Sequence, residues 1–181
     1  MIFAMFRRSG NDRVIERLHG DIVAAVRQTS LYADYGVDDT FEGRFELLAL
    51  FATLLVRRLA QLPSPAPEVA QDLTDRIFSE LDAAMRELGV GDLAVPKRIK
   101  KFAAAFLGRR KIYDEALAAK SEELLAAAIA RNVYGAEAPE GAGQAARLAR
   151  YAFAVEAALA DAPIETFAKG SAPFPKTEAI R

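Results

Sequence analysis

An all-α protein is what this sequence predicts, and three observations predict it. Apolar residues recur at three-to-four-residue intervals through most of the chain, the alternation of a half-buried strand is absent, and the periodic stretches are bounded by proline, glycine or capping residues. The expected architecture is a single compact helical domain over residues 1–181 with about six to seven helices, a core at about 11–160 and an irregular proline-containing tail at 161–181.

Composition agrees with this. The chain is 52% hydrophobic and 27% charged, as a globular protein is and a disordered one is not. Alanine is abundant, which favours helix. There is no cysteine, so disulfides, thiolate metal ligands and cysteine nucleophiles are excluded. The start, MIFAMFRRSG, places apolar residues before arginines, the reverse of a secretory signal, and lacks an Arg- and Ser-rich transit extension. The expectation is a bacterial or processed chain that stays in the cytoplasm.

The elements follow in order. From Asn11 to Gln28, Val14 or Ile15, Leu18, Ile22 and Val26 form one apolar stripe. After a loop around Tyr35 and Gly36, DTFE offers Asp39 or Thr40 as an N-cap, with Glu42 able to close a capping box from Asp39. A helix to about Leu62 follows, and its run from Leu47 to Val56 is apolar all round. Ten residues do not cross a bilayer that needs about 20, so the run predicts a buried helix, part of which could be exposed to a partner. PSPAP at 63–67 stops this helix. A third helix opens at Pro67 or Glu68, carries Val69, Leu73, Ile77, Leu81, Met85 and Leu88 on its apolar face, and stops at Gly89. Asp92 is the expected cap of the next helix, which Pro96 begins and Gly108 is expected to break before a longer one from about Arg109 to Val133. GAEAPEGAG at 135–143 reads as a loop, and Gln144 to Leu159 as a last Ala-rich helix.

Few residues suggest chemistry. His19 is the only histidine and no nucleophile motif lies near it, so a surface or partly packed role is expected. Asp34, Asp38, Asp39 and Glu42 lack EF-hand spacing and read as caps and loop charges. Gly89 and Gly91 form no phosphate cradle. No metal, cofactor or convergent acid, base and nucleophile set is expected.

Charge is the informative feature. The stretch VPKRIKKFAAAFLGRRKIY, residues 95–113, holds seven of the chain's 24 Lys and Arg and no acid, although the whole chain has a net charge of −1. Three readings are open: a solvated helix face, a nucleic-acid contact by phosphate neutralisation, or a docking face for protein or anionic membrane that combines the charge with Phe102, Phe106 and Tyr113. The overall acidity of the chain and the absence of a recognition motif weigh against nucleic acid.

Three strings in this order, DTFEGRFELL, RELGVGDLAVPKRIKKF and FLGRRKIY, resemble the ubiquinol-cytochrome c chaperone family, in its short bacterial form. The resemblance implies an all-helical, non-enzymatic assembly factor for the cytochrome bc1 complex of the respiratory chain, with newly made cytochrome b as its client. Mitochondrial relatives work with a small partner protein, so such a partner is a further expectation, as is peripheral contact with the cytoplasmic face of the inner membrane. The expected client-binding set is Arg44, Asp92, Lys97, Arg98, Lys100, Lys101, Phe102, Phe106, Arg109 and Tyr113. The alternative is a basic helical module that binds anionic membrane or nucleic acid without a specific client.

Overall fold

A computed structural model describes the chain at residues 2–135 and 142–179, with side chains from residue 11 onward. Six long helices and two one-turn helices follow each other: α1 (Ile2–Val26), α2 (Thr29–Ala33), α3 (Phe41–Ala60), α4 (Ala66–Glu87), α5 (Val95–Ala118), α6 (Glu122–Val133), α7 (Ala142–Asp161) and α8 (Ile164–Ala168). A 3₁₀ turn, Thr177–Ala179, ends the described chain, and no strand occurs among the described residues. Most of the GAEAPEGAG loop lies outside them.

The all-round apolarity of α3 explains the architecture. α3 touches α1, α4, α5, α6 and α7, and Leu47, Leu50, Phe51, Leu54 and Leu55 are all buried. The run is thus spent mostly on the interior, and of the part expected to be open to a partner only Leu48 is left half-buried. Around it the amphipathic helices each give one stripe to a single continuous core. Tyr35, Phe51 and Tyr151 form an aromatic knot, with Tyr151 5.9 Å from each of the other two ring centroids.

The entry to α3 is specified by four residues. Thr40 is the N-cap, its Oγ1 accepting from the Gly43 N–H at 3.1 Å. This puts Gly43, not Glu42, at the third helical position, so no capping box forms from Asp39, which instead accepts from Arg44 at 2.7 Å. A Cβ on Gly43 would lie 2.0 Å from the Asp38 carbonyl oxygen, so only glycine lets the chain turn this closely into the helix. The stop of α4 is as expected: Gly89 has φ +79°, its N–H bonds to the Arg86 carbonyl, and the Val90 N–H bonds to the Met85 carbonyl.

Two expectations about α5 are corrected. Asp92 does not cap α5; it accepts from Arg86 at 2.5 Å, and the N-cap residue Ala94 makes no side-chain bond. α5 runs straight through Gly108, because Phe106, Tyr113 and Leu117 on either side are anchored in the core and outweigh the roughly 1 kcal/mol that a mid-helix glycine costs. The break falls at 119–121, where Lys120 takes φ +50° and the Ser121 hydroxyl caps α6 by accepting from the Leu124 N–H at 3.2 Å. The tail beyond α8 is irregular over residues 171–176, as expected, and it packs on the bundle as a strap. Phe167, Ala172 and Thr177 are buried, Ala172 N–H donates to Asp21 at 2.7 Å, Thr177 N–H donates to Gln28 at 3.0 Å, and Tyr151 donates to the Pro175 carbonyl at 2.7 Å.

Candidate functional site: a basic-rimmed aromatic groove beside α5

α5 is fixed to its neighbours by aromatic edges and one ion pair. Phe102 stands edge-on to Phe45, at 4.6 Å, and to Phe41, at 5.5 Å, both near the start of α3. Phe106 meets Phe78 of α4 at 5.5 Å and 89°. One turn further on, the Arg109 guanidinium embraces the Glu46 carboxylate bidentately, with its Nη2 2.5 Å from Oε1, and lies over the Phe45 ring. The Glu46 bond is the largest cause holding Arg109 charged, whereas burial pushes the Glu46 carboxyl above its ordinary range against the pull of Arg109. Such a pair is geometry-defining more than stabilising: it sets the register of α5 on α3.

These contacts leave clefts that adjoin through shared walls. One, of about 450 Å³, lies between α3 and α5 with Phe45 and Phe102 beside Arg98, Lys101 and the Glu46–Arg109 pair. The next, of about 230 Å³, shares Phe102 and Arg98 with it and adds Phe41 and Leu88. Through Phe41 and Leu88 it joins a third, of about 360 Å³ between α1, α3 and α4, walled by Val26, Leu48 and Leu81 and edged by Arg27 and Arg44. The result is a row of adjoining clefts with aromatic walls, edged by Arg27, Arg44, Arg98 and Lys101 and also by Glu42 and Glu87; taken together they form a groove. A cleft of about 600 Å³ at the other end of the bundle is different in kind. Its arginines are already used, Arg57 on Asp114 and Glu156, and Arg58 on the last carbonyls of α7.

The structure divides the ten expected client-binding residues. Arg98, Lys101, Phe102 and Arg109 line the groove together, and Arg44 edges its far end, paired with Asp39 and 6.0 Å above the Tyr32 ring. Lys97 and Lys100 are exposed on the outer side of α5. Asp92 is exposed and occupied by Arg86. Phe106 and Tyr113 are core residues, 1% and 0% exposed, so their place on a docking face is corrected. The Tyr113 hydroxyl is buried beside the Asn132 side chain, and burial pushes it well above its ordinary pKa. Leu88, read as a core position of α4, is 69% exposed on the groove. Sequence reasoning missed Phe41 and Arg27, and did not single out Leu48 within the apolar run; Phe41 stood in the DTFEG string, but only the approach of α4 and α5 makes it a groove wall.

Among the described residues no group of carboxylates and imidazoles is arranged for a metal, and no helix is long and apolar enough to cross a membrane. The described residues thus form an all-helical body with a row of aromatic-walled clefts edged by charged side chains. The sequence matches the ubiquinol-cytochrome C chaperone family over residues 33–174, and the chain belongs to that family. It is similar over its whole length to the Cbp3 homolog from Brucella abortus, whose crystal structure it matches with a TM-score of 0.86 at 35% identity, covering 100% of both chains. No curated protein matches it.

Proposed function

We propose that this protein is a non-enzymatic chaperone that holds newly made cytochrome b during assembly of the cytochrome bc1 complex. Membership of the chaperone family supports the class of activity. The groove at Phe41, Leu88 and Phe102 supports the mode: a membrane protein met before its partners presents apolar segments joined by polar loops, and aromatic anchors rimmed by charge complement both. Such a groove shields the apolar part while Arg27, Arg98 and Lys101 meet acidic or carbonyl groups of the loops. Release must follow, and exposed single contacts worth about 1 kcal/mol each allow it.

The single observation that carries this reading is that two adjoining clefts share the exposed Leu88 and the Phe41 ring. Leu88→Asp combined with Arg98→Glu alters two exposed side chains and should leave the circular dichroism spectrum and thermal midpoint unchanged. In cells relying on this variant, cytochrome b captured with the chaperone and assembled bc1 complex should both fall several-fold. Normal assembly with a correctly folded variant would sink the groove as the client site.

A further inference from the structure

α5 has a second face that the groove does not use. With 100° per residue, Lys97, Lys100, Ala104, Leu107 and Lys111 fall within an arc of about 80° on the side away from the core, with Lys101 at its edge and the exposed Glu115 ending the cationic stretch in the last turn. Arg109 is held by Glu46 and Arg110 lies 3.8 Å from Asp114, but among the described residues Lys97, Lys100, Lys101 and Lys111 have no ion-pair partner. Interleaved with these lysines are leucines in water: Leu107 is 60% exposed, and Leu93, one turn before Lys97, is 98% exposed.

We propose that this outer face of α5, with Leu93 before it, is a docking surface for an anionic lipid bilayer. The chemistry selects this partner. Unpaired lysines on flexible stems suit diffuse negative charge and can snorkel while their methylenes and the two leucines enter the interfacial layer. Nucleic acid would use the cations but leave Leu93 and Leu107 in water, and the face carries no aromatic ring on which a base could stack. An acidic protein surface would be better met by planar arginine forks, and none of the three arginines of α5 falls in this arc: Arg109 and Arg110 are engaged by Glu46 and Asp114, and Arg98 lines the groove. The inference extends the client reading: α5 would then be the wall between groove and lipid, holding the groove beside the surface from which a membrane client emerges.

The test is sedimentation of the full chain with vesicles of phosphatidylcholine alone or with about 30% phosphatidylglycerol as the anionic lipid, over a range of salt. Binding should require the anionic lipid and weaken as salt rises. Lys97→Gln, Lys100→Gln and Lys111→Gln together should weaken it about 100-fold, at roughly 5-fold per lysine, and Leu93→Ser with Leu107→Ser should weaken it at unchanged charge. All five side chains are exposed, and an unchanged circular dichroism spectrum shows that the variants fold. Equal binding to both vesicles, or variants that bind as the parent does, would overturn the proposal. So would binding of a single-stranded oligonucleotide at the same salt that is as tight as vesicle binding and as sensitive to the leucines. A charge-neutral groove variant, Leu88→Gln, separates the two readings: it should lose cytochrome b yet sediment with anionic vesicles as the parent does.

Discussion

His19 lies half-buried on α1, near Arg76 and Glu80 of α4, and burial lowers its pKa below the ordinary 6.5 despite the opposing pull of Glu80. The unfolded chain therefore takes up this proton at a higher pH than the folded chain does. Stability contributed by the neutral imidazole is complete above about pH 6.5 and is lost as pH falls below it, until the folded form titrates too. Because no other histidine is present, the effect is isolated: between pH 7.5 and 5.5 the urea midpoint should fall further for the parent than for His19→Gln. Equal falls would show that His19 is not the group responsible. At this scale sequence reading was least able to tell neighbours apart. Phe102, Phe106 and Tyr113 are all aromatic and lie on the same half of one helix, yet the first walls a groove and the other two are sealed in the core. The difference lies in which helix stands opposite each ring: Phe102 meets the open start of α3, whereas Phe106 is covered by α4.

Helix identity was largely legible, because a 3.6-residue period, Pro96 near the start of α5 and Gly89 beyond the end of α4 are local signals. Helix ends governed by packing were not. Gly108 carries a local signal to stop that is overruled by anchored residues before and after it, while the real break uses Lys120 in a conformation rare for a side-chain-bearing residue. A Cβ at Gly108 would meet nothing within 4 Å, so Gly108→Ala should stabilise the protein by about 0.5–1 kcal/mol, read as a higher urea midpoint at unchanged slope. A lower midpoint would mean that this turn of α5 needs the freedom of glycine. The outer face of α5 had a similar history: the density of charge was plain in the sequence, but which cations were spoken for depended on Glu46 and Asp114, and Glu46 is 63 residues away in the chain.

Over the whole molecule, the strap after α7 closes the fold by laying Phe167, Phe174 and Thr177 against α1, α2, α3 and α7. Phe174 reaches within 5.9 Å of Phe51, Ser30 and Thr177 share a buried hydrogen bond, and Arg17 of α1 donates to the Lys169 carbonyl at 3.2 Å. Removal of residues 163–181 would uncover this aromatic cluster at a cost of at least about 3 kcal/mol, a fall of roughly 6–12 °C in Tm for a chain of this size, with a rise in dye binding to exposed apolar surface. A truncated protein as stable as the parent would show the strap to be dispensable. The sequence alone determined the all-helical class, the order of most helices, the apolar centre at α3 and the concentration of charge on α5, because periodicity, capping and composition act over one or two turns. Tertiary structure alone decided that the tail packs, that Leu88 faces out and Phe106 in, and that Arg109 is bound while Lys97, Lys100 and Lys111 stay unpaired. Each of those depends on a surface brought from a distant part of the chain, and burial and pairing are properties of the surfaces that meet.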